Sequence, residues 1–120
     1  MRLARAIFRP FSIFLPRTLR IQQSPELPWG GVYRGHDEAR QFFAKLVLRI
    51  NSTLELKRFI IADERAVAVG WTQGSVIATG VKYRVAIVHI WTIAEEKVAR
   101  VEFIIDNLSM LEALAKEQHA

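Results

Sequence analysis

The sequence predicts an α+β fold in which a curved, mostly antiparallel sheet wraps around a helix. Three observations predict it. Ala39, Phe42, Phe43, Leu46, Val47 and Ile50 recur at helical spacing. From Thr53 to Ile105 the period drops to two, in segments rich in Val, Ile, Thr and aromatic residues. After Asp106, the spacing of Leu108, Leu111, Leu114 and Ala115 marks a short amphipathic helix. A chain of 120 residues has room for one domain and one core. Hydrophobic residues at 51% and charged residues at 24% exclude wholesale disorder.

Residues 1–17 form a basic, atypical N-terminal segment, and residues 18–120 the domain. The apolar run Phe11–Leu15 is too short for a signal peptide or a membrane span, and Pro10 and Pro16 break a continuous helix. Thr18–Gln23 reads as a short strand ended by Ser24-Pro25. Trp29 to Gly35 reads as a glycine-rich loop. The helix follows, with Asp37 and Glu38 in its first turn, where the dipole favours acids, and Asn51-Ser52 as its stop. Thr53–Ile61, Arg65–Gln73, Ser75–Ala78, Lys82–Ile93 and Val98–Ile105 are strand-like. Asp63-Glu64, Gly74, Thr79-Gly80 and Glu95-Glu96 separate them. Asp106 is placed to cap the closing helix.

The net charge of +5 resembles a nucleic-acid signal until it is localised. Arg2, Arg5, Arg9, Arg17 and Arg20 lie in the first twenty residues with no acid among them. The other 12 basic residues balance all 12 acidic ones. A neutral body argues against nucleic acid as a partner. The absence of cysteine excludes a disulfide scaffold, a thiolate metal site and a cysteine nucleophile. His36, His89 and His119 are too far apart to define a metal site by spacing, so neither a metal nor a cofactor is expected. The cytoplasm is the expected location.

A two-residue turn at Glu95-Glu96, continued as a regular ladder, sets Ile93 against Val98, Trp91 against Arg100, His89 against Glu102 and Val88 against Phe103. One face then carries Ala86, Val88, Ile90, Thr92, Ala99, Val101, Phe103 and Ile105. It is the expected pocket side. The other carries Ile87, His89, Trp91, Ile93, Val98, Arg100, Glu102 and Ile104, too apolar for open water, and suits a second subunit.

Leu27-Pro28-Trp29-Gly30-Gly31-Val32-Tyr33-Arg34-Gly35, followed by the helix with Phe42-Phe43, resembles the loop-and-helix signature of SnoaL-like proteins. So do the hairpin from His89-Ile90-Trp91-Thr92-Ile93 to Lys97-Val98 and the ending Phe103-Ile104-Ile105-Asp106. This is the nuclear-transport-factor-2-like, or ketosteroid-isomerase-like, superfamily. The resemblance implies a cystatin-like cone with an apolar pocket, commonly in a homodimer packed through the outer sheet face. It also implies an N-terminal helix pair, which residues 1–17 are too short and proline-broken to supply in the usual form. The family's general-base position falls at Gln23-Ser24-Pro25. Its second acid aligns with Val88, and the pocket acid of the last strand with Phe103. None of these is a carboxylate.

The function expected from these residues is binding of a small apolar molecule by a homodimer. Trp29, Tyr33, Phe43, Val88, Ile90, Val101, Phe103 and Ile105 are the candidate ligand contacts. The alternative is a cofactor-independent isomerase, cyclase or hydrolase of a hydrophobic polycyclic or polyketide-like substrate. It would use His89, Glu102 or Asp106. His89 and Glu102 also read as a cross-strand pair, and Asp106 as a helix cap. A third reading is a structural dimerisation module.

Overall fold

The computed structural model describes residues 19–116. The expectations for residues 1–17 and for a strand beginning at Thr18 lie outside these residues. Six strands and two helices follow in the order β1 (Arg20–Gln23), β2 (Gly31–Arg34), α1 (Gly35–Arg49), β3 (Ile50–Ala62), β4 (Arg65–Val76), β5 (Lys82–Ala94), β6 (Lys97–Ile105) and α2 (Asn107–Ala115). They form one mixed sheet in the order β2-β1-β6-β5-β4-β3. All neighbouring pairs are antiparallel except β1 and β6, which run parallel.

The helix α1 buries Ala39, Phe42, Phe43 and Leu46 of the stripe its spacing predicts, whereas Val47 is 37% exposed and Ile50 belongs to β3. Burying each large apolar side chain contributes about 2–3 kcal/mol. Glu38 accepts a hydrogen bond from the Arg34 backbone N–H at 2.9 Å, satisfying one donor at the helix start. The helix ends at Arg49, and Ile50 is already extended as both its C-cap and the first residue of β3. The core joins this stripe to Leu19, Ile21, Trp29, Val85, Val101, Phe103 and Met110, all buried.

Two segments differ from expectation. The Trp29–Gly35 stretch contains the edge strand β2, which pairs with β1 from Gln23↔Gly31 to Arg20↔Arg34. Gly31, at φ 129°, opens it. Gly74 does not separate two strands but lies inside β4 opposite Ser52. A Cβ there would stand 1.8 Å from the Asn51 carbonyl oxygen, so a side chain is excluded by close approach to β3.

The third difference changes which side chains face inward. The Glu95-Glu96 turn forms as expected, and Ile93 pairs with Val98. The ladder then slips by one, and Ala99 is the extra residue of a β-bulge. Beyond it Thr92 pairs with Arg100, Trp91 with Val101, His89 with Phe103 and Val88 with Ile104. A one-residue slip exchanges the faces of one strand relative to the other. Ile87, His89 and Trp91 therefore share the concave face with Val101, Phe103 and Ile105. Val88 and Ile90 share the convex face with Glu102 and Ile104.

Candidate functional site

The concave side is lined by an aromatic cluster. Phe42 stacks on Phe103 with centroids 5.6 Å apart, and Tyr33 and Phe43 meet Phe42 edge-on at 5.2 and 5.0 Å. His89 and Trp91 meet Phe103 edge-on at 4.7 and 6.2 Å. Sequence alternation delivers these side chains. His89 and Trp91 are two apart on β5, and Val101 and Phe103 two apart on β6.

Polar groups are few in this interior. Gln23, Ser52, Thr72 and His89 are the buried polar residues among those described, and none is a carboxylate. Gln23 Oε1 accepts from the Trp29 indole N–H at 2.9 Å. The Tyr33 hydroxyl donates to the Trp29 carbonyl at 2.9 Å, which locks the β1–β2 loop over the core. The Ser52 and Thr72 hydroxyls hydrogen-bond to each other across β3 and β4. Burial raises the pKa of Tyr83, and the neighbouring Ser52 and Thr72 hydroxyls oppose the shift.

His89 is 3% exposed. Desolvation by burial lowers its pKa to about 4, so it is neutral at pH 7. It lines a cavity of about 20 Å³ with Gln23, Thr72, Phe42, Phe103 and Ile105. That is space for about one water molecule. Toward the β3–β4 turn the concave face is uncovered, with Phe59 and Ile61 exposed at 64% and 79%.

The candidate residues separate accordingly. Trp29, Tyr33, Phe43, Val101, Phe103 and Ile105 belong to the concave side or its loop, with His89 among them. Val88 and Ile90 lie on the opposite face, because the Ala99 bulge displaces the register. Glu102 is not opposite His89; it accepts a hydrogen bond from Arg100 on its own strand and face. Asp106 caps α2, accepting from the Ser109 backbone N–H at 3.2 Å and from the Ser109 hydroxyl at 2.7 Å. Those bonds hold its carboxyl below the usual range. Thr72 was not singled out by sequence, although alternation with Gly70 and Gly74 places it inside. Among the described residues no group of three or more His, Asp and Glu could hold a metal ion. No described helix is long and apolar enough to cross a membrane.

The family model of the SnoaL-like domain matches residues 22–101. The chain belongs to the SnoaL-like domain family. Solved structures agree on its fold. An NTF2-like protein from Burkholderia pseudomallei is 23% identical with a TM-score of 0.80, over 87% of this chain and 82% of that one. A putative SnoaL-like polyketide cyclase from Jannaschia is 16% identical with a TM-score of 0.77, over 92% and 78%. TerC, crystallised with polyporic acid, is 22% identical with a TM-score of 0.76, over 86% and 82%. Comparison with curated proteins finds no match.

Within this SnoaL-like frame a second concavity lies at the other end of the sheet. It is a groove of about 310 Å³ between the β1–β2 loop and the β6–α2 junction. Gln22, Val32, Glu102 and Ile104 line it.

Proposed function

We propose that this SnoaL-like domain binds a small apolar ring compound on the concave side of its sheet and does not transform it. The observation that supports this reading is the convergence of Phe42, Trp91 and the neutral imidazole of His89 on the ring of Phe103. Aromatic faces hold a ring by stacking, and one polar group orients it. The ligand seat is the open part of the concave face, from Trp91 and Ile93 toward Phe59 and Ile61, with His89 at its floor. TerC was crystallised with polyporic acid, a precedent for a ligand on this fold. The reading places the protein in the cytoplasm.

The test is thermal denaturation with a panel of steroids, flavonoids and aromatic polyketides. A rise in Tm that Ile61→Asp, at an exposed position of the seat, diminishes supports the reading, because the new carboxylate would be desolvated beneath the ligand. No shift with any compound overturns it.

The 20 Å³ interior cavity favours a second reading, a structural dimerisation module with a filled core. Both readings include a homodimer, and the convex face supports it. Val67, Val69, Val88 and Ile90 are partly exposed side by side there, flanked by Ile60 and Ile104, each 46% exposed. The corrected register moves this surface to the face opposite His89 and Trp91.

A further inference from the structure

We propose that a row of arginines on the convex face, Arg34, Arg20 and Arg100, is a binding site for a small oxyanion, a phosphate or carboxylate group. This site is separate from the concave ligand seat and does not depend on it.

The row follows from register. Arg34 pairs with Arg20 across β2 and β1, and Arg20 pairs with Arg100 across β1 and β6. Paired residues share a face, and their neighbours Tyr33, Ile21 and Val101 are buried on the other side. Strands lie about 4.8 Å apart, so the three positions span about 10 Å. That length suits one oxyanion or two linked ones. Like charges directly opposite one another are destabilising without a counterion. The carboxylate in contact with the row is Glu102, held by Arg100 Nη2.

A second observation points to an acceptor from outside the chain. The Nε atoms of Arg20 and Arg100 are buried with no hydrogen-bond partner among the described residues, while the Arg100 side chain as a whole stays 39% exposed and within reach of an acceptor from solvent. Buried donors in folded proteins are almost always partnered, and an unaccounted ion is one of the recognised reasons for an exception. Guanidinium groups on adjacent strands offer fork-shaped pairs of donors that match phosphate and carboxylate oxygens. The groove of about 310 Å³ begins at the next row, where Val32, Gln22 and Glu102 lie side by side. Gln22 Oε1 is likewise buried without a partner and suits a hydroxyl donor. The site therefore suits a small organic anion, with its charged group on the arginines and a hydroxylated body in the groove.

The test is calorimetric titration of the full chain with inorganic pyrophosphate and, separately, with citrate, at ionic strength matched by sodium chloride. Saturable binding of either is expected, and the preferred anion distinguishes phosphate from carboxylate chemistry. Arg20→Gln and Arg100→Gln should each weaken it at least tenfold. Arg34→Gln, at an exposed edge-strand position that leaves the core intact, should weaken it measurably. Arg49→Gln and Lys82→Gln, outside the row, should leave it unchanged. Absence of saturable binding to either anion overturns the proposal. So does equal weakening by the Arg49 or Lys82 substitution, which would reduce the effect to general charge.

Discussion

The imidazole of His89 meets the ring of Phe103 edge-on, with centroids 4.7 Å apart, because the two residues are register partners across β5 and β6. The contact exists only because Ala99 is bulged out of the ladder. It places a titratable group in the core.

Stability should therefore fall in mild acid. The folded pKa of His89 is about 4, against 6.5 for an unperturbed histidine. Between those values the unfolded chain binds a proton that the folded chain does not. The contribution is fully present above pH 6.5 and is lost as pH falls toward 4. Its size is about 3 kcal/mol. Urea denaturation at pH 7.5 and 4.5 should show this loss in the wild type and a much smaller one in His89→Leu. Equal losses in the two proteins would mean that His89 is not the group responsible.

The Glu95-Glu96 turn should accept a better sequence. Both residues sit at positive φ, 52° and 64°. This is the geometry of a two-residue hairpin turn that favours Asn-Gly. A left-handed conformation costs a residue with a Cβ about 1 kcal/mol. The double substitution Glu95→Asn, Glu96→Gly should raise Tm by about 4 °C. An unchanged or lower Tm would show that the carboxylates contribute more than the backbone strain costs.

Much of the fold is legible in the sequence because its signals are local. The stripe of α1, the strand periods and the acidic turns each lie within a dozen residues. The interior of the site is less legible. Alternation correctly pairs His89 with Trp91 and Val101 with Phe103, but the relation between the two strands depends on whether a residue is skipped between them. Ala99 carries no glycine or proline to mark a bulge. The misreading of Val88, Ile90 and the His89–Glu102 pair follows from that one residue. Gly74 misleads for a different reason. A glycine required by close approach to a neighbouring strand looks the same in sequence as one that ends a strand.

Association should depend on the convex face. Val88→Glu would place an unpaired carboxylate at the centre of the apolar patch formed with Val67, Val69 and Ile90. Burying such a charge costs about 3 kcal/mol, so dimerisation should weaken about a hundredfold. Light scattering at micromolar concentration should find a dimer for the wild type and a monomer for the variant. A wild-type monomer would remove the convex face as an interface.

The protein should show no isomerisation of an enone-forming steroid. Such a reaction needs a base within reach of the substrate carbon and a donor facing the developing oxyanion. No carboxylate is buried among the described residues, and Val88, the aligned second-acid position, points to the convex face. His89 alone stands in the interior with a titratable nitrogen. Its pKa of about 4 lies about three units below neutral pH, far from the match that makes a general base efficient. Loss of one oxyanion donor typically costs about 10²–10³ in rate. Raising the pH does not help, because His89 is already neutral and gains no basicity. A continuous absorbance assay with the steroid should give rates indistinguishable from buffer, and His89→Ala should change nothing. The same steroid should still raise Tm if it occupies the concave seat. Turnover that His89→Ala abolishes would instead make His89 a base whose pKa rises when substrate binds, and would replace the binding reading with catalysis.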